Sequence, residues 1–341
     1  MSKKIRRILS VALVLAMMVC VFAGCTGDKN PNEPESKEDS SADAGVSGKV
    51  YNVGICQLVQ HEALDAATQG FKDALVAKLG ANVKFDEQNA SGESTNCTTI
   101  VSQFVANEVD LIMANATPAL SAAAAATENI PIVATSITDF PTALQIDDWT
   151  GKTGINVTGT ADLAPLAEQA AMIKELFPEA KNIGILYCSA EPNSKYQSDK
   201  VQAELETLGY TVTVYTFVDT NDVSAVTQSA VAASDVIYIP TDNTAASNTE
   251  AINNIAEPAG VPIVAGEEGI CKGCGVATLS ISYYGIGYRA GEMAYEILVN
   301  GADPAEMEIE YTNDLTKKYI ADRAEALKLE IPEGYEAIVV E

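Results

Sequence analysis

The chain has 341 residues, a formal net charge of −26 and a single His. A balance this acidic excludes binding of nucleic acid or of anionic lipid through the general field, and it favours cationic or zwitterionic small ligands. The composition, 47% hydrophobic and 20% charged, is that of a globular protein, and about 290 residues of foldable sequence are long for one core and natural for two lobes.

Lys3, Lys4, Arg6 and Arg7 precede an apolar run from Ile8 to Phe22, and Ala23-Gly24-Cys25 closes it. That order predicts an export signal over residues 1–24, since the run is short for a membrane span and polar sequence follows at once. A Cys after two small residues resembles a bacterial lipobox, with Phe22 in place of the usual Leu, so lipidation is expected at Cys25. Plain secretory cleavage after Gly24 and an uncleaved anchor are the alternatives. Residues 25–48 are rich in Pro, Ser, Asp, Glu and Gly and cannot bury enough apolar surface to order themselves, which predicts an acidic disordered tether. A coil of about 24 residues spans on the order of 25 to 30 Å.

Beyond the tether, Val50 to Gln57 reads as a strand, Glu62 to Leu79 as a helix and Asn82 to Glu87 as a second strand. Helix Ser94 to Asn107, strand Asp110 to Ala114, helix Pro118 to Glu128 and strand Pro131 to Thr135 continue the alternation. The pattern restarts at Lys181 to Tyr187, where KNIGILY echoes VYNVGIC of Val50 to Cys56. Helix Ser194 to Leu208, strand Thr211 to Phe217, helix Asp222 to Ala232, strand Asp235 to Ile239, helix Thr244 to Ala259 and strand Val261 to Ala265 complete the second unit. Strand and helix in strict alternation imply right-handed crossovers, hence an α/β protein of two similar doubly wound parallel-sheet lobes. The tail reads as strand Gly275 to Ser282, helix Tyr284 to Asn300, strand Met307 to Thr312 and helix Tyr319 to Leu327. A tail that crosses to the first lobe and back gives a hinge of several linkers, with lobe 1 at 49–155 plus 281–308 and lobe 2 at 156–280 plus 309–341.

Ligands of open parallel sheets bind beyond the carboxyl ends of the strands, and here those ends carry hydrogen-bonding groups rather than catalytic ones. Thr117-Pro118 reads as an N-cap and first helical residue, a helix end suited to a carboxylate, with Ser136 and Thr138 at the next strand end to surround the same group. The other lobe supplies Asp242 and Glu267, and a buried acid calls for a cation or strong donors, such as a ligand ammonium. Each of these also has a plain reading as a helix cap or a solvated acid.

Signs of catalysis are thin. His61 is the only imidazole and lies near neither a G-x-S-x-G elbow nor a Cys with a protease signature, and no phosphate-binding P-loop occurs. Gly285-Ile286-Gly287-Tyr288-Arg289-Ala290 matches a dinucleotide pattern, but packing of a helix against the sheet explains its glycines. Of the five cysteines after Cys25, only Cys271 and Cys274 have a suggestive spacing, compatible with a metal ligand pair, a local disulfide or free thiols in a turn.

The segments VGICQLVQHEALDAATQGF (Val53 to Phe71), MANATPAL (Met113 to Leu120), INVTGTAD (Ile155 to Asp162), EPNS (Glu191 to Ser194), YIPTDN (Tyr238 to Asn243) and SYYGIGYRAGEMA (Ser282 to Ala294) together resemble the ABC-importer substrate-binding lipoproteins of the tryptophan/tyrosine type. The resemblance covers nearly all of Val50 to Thr312. It implies a type I periplasmic-binding-protein fold, exported and lipid-anchored to the outer face of the cell membrane, that captures an amino acid between closing lobes and docks on an ABC permease. It implies a monomer without cofactor or metal, not an enzyme. By the same resemblance Thr117, Ser136 and Thr138 hold the ligand carboxylate, Glu267 receives the ammonium, and Gln60, His61, Asn193 and Tyr284 frame the side chain. A ligand sensor feeding a signalling receptor remains the alternative, as does a ligand other than an amino acid.

Overall fold

The structure, a computed structural model, describes residues 48–312 and 314–339. The expected signal segment, Cys25 and the tether up to residue 47 lie outside the described residues.

The first lobe is built from β1 (Tyr51–Gln57), α1 (Glu62–Leu79), β2 (Val83–Asn89), α2 (Ser94–Ala106), β3 (Leu111–Asn115), α3 (Thr117–Ala126), β4 (Ile132–Ile137), α4 (Phe140–Leu144) and β5 (Val157–Ala161). The second holds α5 (Leu166–Leu176), β6 (Asn182–Cys188), α6 (Pro192–Thr207), β7 (Thr211–Phe217), α7 (Val223–Val231), β8 (Val236–Ile239), α8 (Asn243–Ala246), α9 (Thr249–Ala259), β9 (Ile263–Ala265), α10 (Glu268–Cys274) and β10 (Ala277–Ser280). The chain then returns with α11 (Tyr283–Asn300) and β11 (Glu310–Tyr311) and ends with β12 (Thr316–Tyr319), α12 (Ala321–Leu327) and β13 (Glu336–Ala337).

Two sheets result, ordered β11-β5-β4-β3-β1-β2 and β13-β12-β10-β9-β8-β6-β7. In each, the chain starts in an inner strand, adds one neighbour on one side and then reverses to the other, so β1/β3 and β6/β8 are switch points where a crevice opens. All pairs are parallel except β10 with β12. Strands β3 and β4 are buried along their whole length, as sheets covered by helices on both faces require, whereas the edge strand β7 is mostly exposed.

The lobe boundaries differ from the sequence expectation. Strand β5 pairs with β4, and β11 pairs with β5, so residues 157–161 and 310–311 belong to the first sheet. The three crossings therefore follow β5, β10 and β11, the first two through 162–165 and 281–282. The Thr- and Gly-rich VTGTA lacks the branched apolar run that marks a central strand, which is why its strand character is hidden. The expected helix Thr244 to Ala259 is two helices, broken at Ser247 and Asn248.

Helix α11 packs on α1 rather than on a sheet at its glycines. A Cβ on Gly287 would stand 2.0 Å from the Ala67 carbonyl oxygen, and one on Gly70 would stand 2.2 Å from the Tyr284 oxygen. The two backbones touch, and together they cover one face of the first sheet through Phe71, Leu75, Ala290 and Ala294.

Candidate functional site

The carboxyl ends of both sheets meet across one cleft, and side chains bridge it. Lys272 of α10 pairs with Glu62 of α1. His61 Nε2 lies 3.2 Å from Asn243 Oδ1, and Gln197 Nε2 lies 3.5 Å from Thr138 Oγ1.

On the first lobe a β-bulge shapes the wall. The β4–β5 register jumps between Ala134 and Ile137, and within the bulge Ser136 takes a φ of +58°, a conformation that costs a non-glycine residue energy and is over-represented at functional sites. Ala116, at the end of β3, also has a positive φ, of +87°. Ser136 Oγ is buried and has no hydrogen-bond partner. Helix α3 begins at Thr117 with Ala116 as its N-cap, one residue before the cap expected from sequence, and Thr117 makes no capping bond. Strands β3 and β4 are neighbours, with Asn115 opposite Thr135, so the start of α3, with its free N–H groups, and Ser136 follow paired residues on adjacent strands.

Thr138 Oγ1 donates to Asp162 Oδ1 at 3.1 Å, and Tyr283 OH donates to Asp162 Oδ2 at 2.9 Å. Asp162 lies at the first crossing and Tyr283 opens α11 after the second, so this triad sits at the hinge. Burial pushes the Asp162 carboxyl up to about 6 against the pull of those two hydroxyls.

On the second lobe the acids cap helices. Asp242 accepts from the N–H groups of Ala245 and Cys188, both at 2.7 Å, and Glu191 accepts from Asn243 N at 3.0 Å and Thr244 N at 2.8 Å. Glu267 accepts from Gly269 N at 2.6 Å and from Ile270 N. Its helix is held from behind, where the Arg323 guanidinium donates to the carbonyls of Cys271, Lys272, Gly273 and Gly275. Burial, with Glu191 nearby, raises Asp242 to about 8, and burial raises Glu267 to about 7 despite its two N–H donors. A cavity of about 280 Å³ is walled by Glu267, Gly269, Ala63, Ala66 and Ser280 to Tyr283.

Asn193 donates to Glu191 and to the Thr241 carbonyl, leaving its Oδ1 buried without a partner. His61 Nδ1 is buried and unpartnered in the same way, while burial lowers the imidazole pKa. Gln60 is exposed beside His61 at the cleft mouth.

The structure thus brings Gln60, His61, Thr117, Ser136, Thr138, Asn193, Asp242 and Glu267 to the two cleft walls. Tyr284 is not among them. The residue is 44% exposed on the outer side of α11, and its hydroxyl bonds Asp73. Ser282 is the N-cap of α11, which turns Tyr283 inward and Tyr284, about 100° further round, outward. Asp162, Tyr283 and Gln197 escape the sequence reading. Asp162 becomes visible only once VTGTA is read as a strand, because it then falls at a strand's carboxyl end. Cys271 and Cys274 lie on a helix rather than in a turn, as free buried thiols. Among the described residues no group of three or more His, Cys, Asp or Glu is placed to hold a metal ion.

The model of the family described as ABC transporter substrate binding protein matches residues 52–340. The chain belongs to that family. This substrate-binding protein is 36% identical over 298 residues to a tyrosine-binding protein of Clostridioides difficile (strain R20291), a match covering 86% of the chain and 85% of the relative. Its fold matches an ABC domain from Streptococcus pneumoniae in complex with L-Trp, with a TM-score of 0.81 at 32% identity over 85% of this chain and 100% of the other. The ligand-free, open structure of a Clostridium difficile substrate-binding protein with adhesive properties gives a TM-score of 0.66 at 35% identity, over 86% of this chain and 100% of that one. The fold is that of type I periplasmic binding proteins.

The buried acids predict a pH effect on the unliganded protein. Asp162, Glu267 and Asp242 hold their protons more tightly folded than unfolded. The stability this adds is complete below about pH 4, the unfolded carboxyl range, and is lost as pH rises through about 6, 7 and 8. His61 has the opposite shift and costs stability only as pH falls through its unfolded value of about 6.5. Above that value the three carboxyls lower stability as pH rises, so the melting temperature by scanning calorimetry falls between about pH 6.5 and 8. A flat or rising melting temperature over that window contradicts this reading of the buried acids.

Proposed function

We propose that this protein captures an aromatic amino acid between its closing lobes and delivers it to an ABC permease, acting without catalysis or cofactor. The observation that carries this reading is a set of buried polar atoms without partners on both sides of the cleft: Ser136 Oγ and His61 Nδ1 on one wall, Asn193 Oδ1 on the other. Unmet buried hydrogen-bonding groups are costly, and a polar ligand that meets them on closure gains the difference. Thr117, Ser136 and Thr138 receive the carboxylate at the α3 end, while Gln60, His61 and Asn193 frame the side chain. Asp242 and Glu267 stand on the opposite wall, each held by main-chain N–H groups. The tyrosine-binding relative and the L-Trp complex support the aromatic class.

In the cell the protein is exported, its signal removed before Cys25, and it works as a monomer held to the outer membrane face by lipid on Cys25. Residues 25–48 serve as its tether. Thermal unfolding against a panel of amino acids and sugars tests the ligand class. A ligand at one hundred times its Kd adds about 2.7 kcal/mol, and L-tyrosine, L-tryptophan or L-phenylalanine is expected to raise the melting temperature by several degrees. A shift from sugars alone, or from no amino acid, refutes the assignment.

A further inference from the structure

Four carboxylates are buried in the described lobes: Asp162, Glu191, Asp242 and Glu267. None forms an ion pair among the described residues. Three of them sit on main-chain N–H groups of other residues, at helix starts in every case but Cys188, the last residue of β6. Glu191 takes those of Asn243 and Thr244, Asp242 those of Ala245 and Cys188, and Glu267 those of Gly269 and Ile270. Such donors stabilise a negative charge without a cation. Asp162 differs. Outside its own residue it is held by two neutral hydroxyls, Thr138 Oγ1 and Tyr283 OH, and a carboxylate offers about four acceptor positions.

Its place in the fold is equally specific. Thr138 follows the bulged strand that carries Ser136, and its hydroxyl meets Gln197 of the other lobe. Tyr283 lines the cavity shared with Glu267. Asp162 therefore lies where both lobes and two crossings converge, next to the proposed carboxylate subsite. A zwitterion with its carboxylate at Ser136 presents its ammonium only a few ångströms away, across the single α-carbon that separates the two groups.

We propose that Asp162, rather than Glu267, receives the ligand ammonium, with Tyr283 and Thr138 fixing the orientation of its carboxylate. This rests on the amino-acid reading of the cleft. It assigns Glu267 to capping α10 and to shaping the wall, and it makes Asp162 the residue that separates amino acids from their deaminated acids. Burial raises Asp162, Asp242 and Glu267 alike, so the donors around each carboxylate, not its burial, set Asp162 apart.

The test compares the wild type, Asp162→Asn and Glu267→Gln by titration with L-tyrosine, with tyramine and with 3-(4-hydroxyphenyl)propionate, which lacks the ammonium. In Asp162→Asn, affinity for L-tyrosine and tyramine is expected to fall about a hundredfold, the range of a buried charge pair broken on one side, while affinity for the deaminated acid is kept or improved. Glu267→Gln is expected to change L-tyrosine affinity less than tenfold. Tyr283→Phe, which removes one donor and leaves the acid in place, gives a smaller loss confined to the two ammonium ligands and serves if Asp162→Asn does not fold. Discrimination unchanged in the folded Asp162 variant, or in Tyr283→Phe where that variant stands in for it, overturns the assignment, as does its collapse in Glu267→Gln. Wild-type protein that binds tyramine in an Asp162-dependent way but no amino acid refutes the amino-acid reading and leaves the ammonium site standing. Wild-type protein that binds none of the three refutes both.

Discussion

Gly159→Ala is expected to lower stability by about 3 kcal/mol and to abolish ligand binding. A Cβ on Gly159 would stand 1.9 Å from the Ala134 carbonyl oxygen, and the residue has a φ of +152°, so the substitution meets both a backbone clash and an unfavourable conformation. Relief requires β4 to move away from β5. That movement undoes the bulge, and the bulge is what turns Ser136 to a positive φ with its hydroxyl buried in the wall. For a domain of this size the loss corresponds to roughly 6 to 12 °C in melting temperature, read by circular dichroism. A variant that melts within a degree of the wild type and binds ligand normally contradicts this account of the bulge.

Gly287→Ala is the second large effect. The added methyl meets the Ala67 carbonyl oxygen at 2.0 Å, and on the facing helix Gly70 is equally tight against Tyr284. Neither partner is a flexible side-chain tip, so α1 and α11 must separate, which costs about 3 kcal/mol where an overpacked side chain costs 1 to 3. Because α11 begins at Tyr283, its displacement also draws the Tyr283 hydroxyl away from Asp162. Thermal unfolding and ligand titration of the same variant should both show losses. An unchanged melting temperature would mean that the helices are not in backbone contact.

Much of this architecture is legible in the amino-acid order. The strands from Tyr51, Leu111, Ile132, Asn182 and Val236 announce themselves as apolar runs between amphipathic helices, and the polar residues that follow them mark the cleft. Where the reading stops, the physics is specific. VTGTA is a central strand made of small and hydroxyl-bearing residues, because a bulged neighbour crowds it, so neither its strand character nor the meaning of Asp162 stands out. The inward tyrosine of the Tyr283-Tyr284 pair depends on which residue caps the helix, and a shift of one position reverses the choice. The sequence singles out Asp242 and Glu267 as acids at strand ends, and only the three-dimensional contacts show that helix N–H groups hold them. The glycines of Gly285 to Ala290 look like a nucleotide motif, and the close approach of α1 accounts for Gly287.

Calorimetric titration of the purified protein with L-tyrosine and L-tryptophan tests the central claim most directly. Capture between two closing lobes predicts one site per chain, with a negative heat-capacity change from the apolar surface that closure buries. Absence of binding heat for every aromatic amino acid at several temperatures, with the protein shown to be folded, would contradict it.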